Sequence, residues 1–204
     1  MAKWIRQAGQ DIVGSHFGTY LNYSLKDAVY WINRVREAVF FVGVHGVQYD
    51  IPAAIHQEHG TFKDITGLDH FGIRMHYLRM NGDTLINLEK AGYAFDSSVE
   101  TLKAPYKIGR MWEFPLHIMD GSIFYRGRRW INTTFEQARQ ITLDMFAQAE
   151  AQGIPYFTIL LHDPYFSPAY RHVFNWYRWV IQYAGENGME FVDYGGAVEE
   201  LETR

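Results

Sequence analysis

From Ser24 to Val42 (SLKDAVYWINRVREAVFFV) apolar residues recur at Leu25, Ala28, Val29, Ile32, Val35 and Val39, with Ser24 in the N-cap position. That spacing lines one face of an α-helix and predicts a helix across the segment. Asp83 to Ala91, Thr133 to Gln152, Pro168 to Glu186 and Gly195 to Leu201 read as further helices. Each opens on a capping or breaking residue, and Gly92, Gly153 and Gly188 end three of them. Between the helices lie short apolar runs bounded by turn residues: Asp11–His16, Phe71–His76, Tyr93–Asp96, Glu113–Met119, Tyr156–His162 and Met189–Asp193. These read as strands. Strand and helix in alternation along a chain predict a parallel sheet or barrel with helices outside it. Two stretches break the rhythm, 43–69 and 121–132, and are predicted as long irregular loops of the kind that bind ligands or form lids. No repeat or interdomain linker interrupts the pattern, so one domain over 1–204 is expected.

Composition narrows the chemistry. The 204 residues are 48% hydrophobic and 21% charged, values of a globular chain with one sizeable core. Net charge is −4 and no block of Lys or Arg accumulates, which argues against nucleic-acid or anionic-membrane partners and for a neutral substrate. With no cysteine there is no thiolate metal site and no cysteine nucleophile, so any metal must be held by His, Asp or Glu. No apolar run approaches the ~18 residues of a membrane span, and 1–11 lacks the order of a secretory signal. A cytoplasmic protein is expected. Aromatic residues reach 17% of the chain. Trp176, Tyr177, Trp179 and Tyr183 read either as the helix face covering the sheet or as platforms for sugar rings.

Candidate chemistry gathers at predicted strand ends. Two strands end in His16 and His162, and His76 and Asp120 stand at or just past two others. Parallel α/β folds project functional side chains from the carboxyl ends of their strands, which predicts that His16, Arg74, Asp120 and His162 share one cleft. His16 reads as a metal ligand or as a core residue. Arg74, in Arg-Met-His-Tyr, reads as a carboxylate holder or as a charged strand end. Asp96-Ser97-Ser98 alone is a turn signal, and Pro115 suggests unpaired backbone within 113–119. His162, before Asp163-Pro164, reads as a general acid or as a strand cap. His56 and His59 have the spacing that places two imidazoles on one helical face, here inside a predicted loop.

In order and spacing these segments resemble the polysaccharide deacetylase family, carbohydrate esterase family four, from about Trp4 to Leu201. Trp4 to His16 resembles the helix and strand that lead into its histidine motif. Arg74 to Tyr77 resembles its Arg-x-Pro-Tyr motif, with His76 in place of proline. Leu85 to Ser98 (LINLEKAGYAFDSS) resembles the helix, Gly-Tyr and Asp-Ser-Ser that follow it, and Leu160-Leu161-His162 the final Leu-x-His motif.

The resemblance implies a distorted, incomplete (β/α) barrel and metal-assisted removal of N-acetyl groups from amino-sugar polymers or oligomers. It makes His16 a ligand of a divalent ion, zinc by preference, and His162 the acid that protonates the leaving amine. Arg74 would orient the catalytic base, Tyr77 would offer its backbone N–H to the oxyanion, and Leu160 would line the acetyl pocket. Asp120, at the end of the strand before the last motif, joins the catalytic set. The family's paired aspartates do not occur in this chain, and Tyr20 stands where a second metal histidine is expected. Those departures predict a domain short of its first strand, with weak metal binding, His76 as the replacement ligand and no turnover by this chain alone. They also keep open two other functions: a non-catalytic carbohydrate-binding protein, and a hydrolase of another C–N bond.

Overall fold

The computed structural model describes residues 3–5, 12–13, 25–38, 40–126, 129–130 and 133–203. In chain order the strands are β1 (Lys3–Ile5), β2 (Ile12–Val13), β3 (Val44–Gly46), β4 (Gly72–Met75), β5 (Phe95–Asp96), β6 (Tyr106–Ile108), β7 (Met111–Glu113), β8 (Ile118–Met119), β9 (Tyr125–Arg126), β10 (Arg129–Trp130), β11 (Tyr156–Leu160) and β12 (Glu190–Val192). The α-helices are α1 (Leu25–Glu37), α2 (Pro52–Thr66), α3 (Thr84–Ala91), α4 (Asp120–Phe124), α5 (Phe135–Ala151), α6 (Arg171–Glu186) and α7 (Tyr194–Glu202). No helix among the described residues is long and apolar enough to cross a membrane. The chain divides into two compact units, one of Met1–Arg6, Glu100–Ala104 and Pro115–Val192, the other of Gln7–Val99, Pro105–Phe114 and Asp193–Arg204.

In the first unit the sheet order is β12-β1-β11-β8, parallel throughout. β1 pairs on both sides, with Trp4 opposite Phe157 and Phe191, so a strand stands where the resemblance reads a helix. Phe157, Ile159 and Ile118 of the sheet meet Phe146 and Ala149 of α5 and Val173, Trp176, Val180 and Ala184 of α6 in one buried cluster. α5 begins with a capping box in which Thr134 and Gln137 satisfy each other's backbone N–H. Trp176 is fully buried, and its indole N–H donates to Thr142 Oγ1 at 2.9 Å. It is the core filler of the aromatic face that the sequence predicts.

The second unit has the order β2-β3-β4-β5-β7-β6, parallel except for the β6–β7 hairpin. Its core joins Val44, Phe71, Ile73 and Met75 of the sheet region to Ile32, Ile55, Phe62 and Leu88 of α1, α2 and α3.

Three expectations are corrected. Segment 43–69 is strand β3 and the 15-residue helix α2, not an irregular loop. α2 opens with proline in its first turn and closes on Gly67, whose φ of 67° lets its N–H cap the Lys63 carbonyl. The glycines that hide β3 are packing devices: a Cβ on Gly43 would come within 2.9 Å of the Gly72 carbonyl oxygen, and one on Gly46 within 2.6 Å of Ile73. In 121–132 most of α4 and the antiparallel β9–β10 hairpin replace a second predicted loop. Finally, 113–119 is two strand ends rather than one strand. β7 ends at Glu113 in the six-stranded sheet, β8 starts at Ile118 in the four-stranded one, and Pro115 lies in the buried connection between them.

Candidate functional site

β8 and β11 are parallel neighbours with Leu160 opposite Met119. Asp120, directly after β8, and His162, two residues past β11, therefore leave the sheet side by side. Asp120 is fully buried, and its carboxylate accepts three hydrogen bonds of 2.6 Å, from Gly121 N–H, His162 N–H and the His162 ring nitrogen Nδ1. The His162 side chain is 49% exposed. An anchored carboxylate on Nδ1 fixes the ring's tautomer and orientation, directs its chemistry through Nε2, and stabilises the imidazolium formed when the ring takes a proton. His117, in the same unit, contrasts with it. It is buried, accepts from Thr158 N–H at Nδ1 and donates from Nε2 to the Lys103 carbonyl, each at 2.9 Å. Burial pushes its pKa down, which keeps it a neutral structural residue. Leu160 is the half-buried last residue of β11.

In the second unit Arg74, on β4, is buried and aimed toward β5. Its Nε donates to the Ser97 carbonyl at 2.9 Å, and its Nη2 to Ser97 Oγ at 2.9 Å and to the Tyr194 hydroxyl at 2.8 Å. The Asp-Ser-Ser turn is thus more than a cap. Ser97 holds the guanidinium, and Ser98 Oγ donates to Asp96 at 2.6 Å while accepting Met75 N–H at 2.8 Å. Asp96 lies opposite Glu113 in the β5–β7 register, and the two acids hydrogen-bond to each other. Burial, followed by the neighbouring Asp96 charge, pushes Glu113 up to about 11, and burial raises Asp96 as well. The pair therefore holds a proton at neutral pH. The two carboxyl groups hold that proton as a pair.

Tyr77 is 75% exposed, and it and Leu78 both adopt left-handed backbone, φ 55° and 52°. Two consecutive non-glycine residues in that region are strained, at about 1–3 kcal/mol each, and such strain gathers at functional turns. His76, just before them, approaches His45 of β3 with Nδ1 2.9 Å from Nε2. His45 lies in a stretch whose glycines read as loop, although Val42 and Val44 alternate there with Gly43 and His45 as in a strand. Of the other histidines, His59 is half-buried and stacks on Phe71 with ring centroids 4.6 Å apart, and His56 is exposed. His16 and Tyr20 lie outside the described residues. Among the described residues no group of three or more His, Asp or Glu converges as a metal site.

No protein-family model matches the chain, and no curated protein sequence matches it. Among solved structures the chain is similar to one described as a "putative polysaccharide deacetylase" from Mycobacterium smegmatis. The TM-score is 0.63 at 14% identity, over 89% of this chain and 69% of that one. At that identity the likeness shows the fold: a mixed α/β chain with parallel-rich sheets of the kind found in polysaccharide deacetylases.

Proposed function

We propose that the chain is a polysaccharide-deacetylase-like hydrolase that cleaves the amide C–N bond of N-acetylated amino sugars. The observation that carries this reading is the Asp120–His162 pair, a buried carboxylate on an accessible imidazole at the ends of two parallel strands. In the reaction water adds its hydroxyl to the acetyl carbon and gives its remaining proton to the His162 ring, the C–N bond breaks, and the amine leaves with a proton. His162 delivers that proton from Nε2, and Asp120 holds the ring in place and steadies its charge. In the terms of the family resemblance Arg74 holds a carboxylate, the Tyr77 N–H faces the oxyanion and Leu160 lines the acetyl pocket. A divalent ion, zinc by preference, would be held by His16 and His76 and would supply Lewis-acid polarisation of the carbonyl. The donor chemistry fits, since His76 presents an imidazole nitrogen beside a second one.

The test is acetate release from N-acetylglucosamine oligomers with added zinc or cobalt. His162→Ala should lower kcat about 10²- to 10⁴-fold with oligomer affinity retained. Release undiminished in that variant would remove His162 from the reaction. A second reading, a carbohydrate-binding protein without turnover, is favoured by the lack of paired aspartates in the sequence. Oligomer binding with no acetate released by the unmodified chain would select it.

A further inference from the structure

We infer that an open groove between α5 and α6, in the first unit, is a second carbohydrate-binding site, which takes a pyranose ring of a glycan chain against Trp179. The site is argued from its own lining; only the choice of N-acetylated amino sugars as the glycan rests on the reading above. The groove has a volume of about 580 Å³ and is lined by Phe135, Asn175, Arg178, Trp179, Ile181 and Gln182. Small-ligand pockets run about 300–1,000 Å³. None of the six belongs to the Asp120–His162 pair or hydrogen-bonds to it, so the groove holds glycan apart from the place proposed to cut it.

Helix spacing builds the site. Asn175, Arg178, Trp179 and Gln182 recur at i, i+3, i+4 and i+7 and so form one stripe along α6. Another stripe of the same helix, Val173, Trp176, Val180 and Ala184, is packed in the core. The two tryptophans divide accordingly: Trp176 is fully buried with its indole N–H spent on Thr142, whereas Trp179 is half-buried at the groove. Phe135, the first residue of α5, meets the Trp179 ring edge-on, with centroids 6.3 Å apart at 86°, and steadies its plane. A held aromatic ring beside exposed planar polar groups suits a pyranose, whose C–H face packs on the ring while its hydroxyl and acetamido groups hydrogen-bond. Asn175 offers a donor and an acceptor, and Arg178 offers donors. Gln182 donates to Glu186 Oε1 at 2.7 Å and keeps its carbonyl oxygen to accept. All three are exposed. A highly charged ligand fits the groove less well. Arg178 is the one charged residue of the lining, and Arg139, 5.6 Å from the Trp179 ring centroid, is paired with Glu136 at 3.4 Å. The start of α5 is closed to anions as well, since Thr134 and Gln137 take up each other's backbone N–H.

The experiment is calorimetric titration of the full chain with N-acetylglucosamine oligomers, beside a ¹⁵N-resolved spectrum of its indole N–H groups with and without the sugar. The Trp179 indole resonance should shift on binding while that of the buried Trp176 stays in place. Trp179→Ala should weaken the groove's affinity about tenfold or more, the worth of one stacked ring. Asn175→Ala and Gln182→Ala, at exposed positions that leave the core untouched, should each weaken it about two- to tenfold, the worth of one hydrogen bond. The indole spectrum needs no variant to fold. A Trp179 resonance unmoved at saturating oligomer, or affinity unchanged in both exposed variants, overturns the inference. So does a chain that dimerises through the groove, with dimerisation lost in Trp179→Ala, since a second copy would then be its occupant. Oligomer bound at Trp179 with no acetate released would overturn the proposed reaction and leave this site standing, and acetate released with Trp179 unmoved would do the reverse.

Discussion

At the scale of single residues, burial separates the histidines that serve the fold from those that serve chemistry. His117 spends both ring nitrogens on backbone partners inside the core, whereas His162 spends Nδ1 on a buried carboxylate and keeps about half of its side chain at the surface. Asp120 is thus a positioning residue, and its loss should affect rate rather than binding. Asp120→Asn retains size but cannot accept the Nδ1 proton in the same tautomer with the same charge, so kcat for acetate release should fall about 10²- to 10⁴-fold with KM little changed. If KM rose while kcat held, Asp120 would be shaping the binding surface instead. A pH–rate profile separates the two roles, because loss of an orienting carboxylate also moves the limb set by the imidazole.

At the scale of elements, close strand contact explains both what the sequence showed and what it concealed. Gly72 is the clearest case: a Cβ there would lie 2.1 Å from the Phe95 ring, which is stacked on Tyr194 with centroids 4.6 Å apart. Gly72→Ala should destabilise the second unit by about 1–3 kcal/mol through overpacking, read as a lowered urea midpoint. An unchanged midpoint would mean that the ring shifts at no cost. The helices with an end signal and a continuous apolar stripe, α3, α5 and α6, were legible within a few residues. α2 was not, because His56, Gln57, Glu58, Gly60, Lys63 and Asp64 dilute its pattern and only Ile55 and Phe62 are fully buried. β3 was hidden because two of the five residues in 42–46 are glycines that serve interstrand packing. The Asp120–His162 pair could be suspected from strand ends, but its pairing depends on the parallel register of β8 and β11, a long-range fact that no local pattern carries. His45 was lost along with its strand.

At the scale of the whole molecule, buried acids give stability a definite pH dependence. Burial holds Glu58 at about 7 against an ordinary value of 4.5, and its Oε2 is buried with no hydrogen-bond partner, as suits a protonated acid. Glu113 is raised to about 11 by burial and then by the neighbouring Asp96 charge. In the unfolded chain both glutamates lose their protons near the ordinary value, while the folded chain keeps them. Their stabilising contribution is therefore complete below about pH 4.5 and declines as pH rises, by about 1.4 kcal/mol per unit for each group still protonated in the fold. Glu58 stops contributing to the decline near pH 7, and Glu113 continues beyond it. His59 and His117, whose pKa values burial lowers, act in the opposite direction, adding stability that is lost as pH falls below about 6.5. The effects are isolated by comparing each variant with the parent chain at each pH, so that the histidine contributions cancel. Relative to the parent, Glu58→Gln should gain stability between about pH 5 and 7 and then hold a constant difference, while Glu113→Gln, whose amide still donates to Asp96, should go on gaining to pH 9. Urea midpoints measured across that range decide it, and a Glu113→Gln difference that levels off at pH 7 would show that the Asp96–Glu113 pair gives up its proton where ordinary carboxylates do.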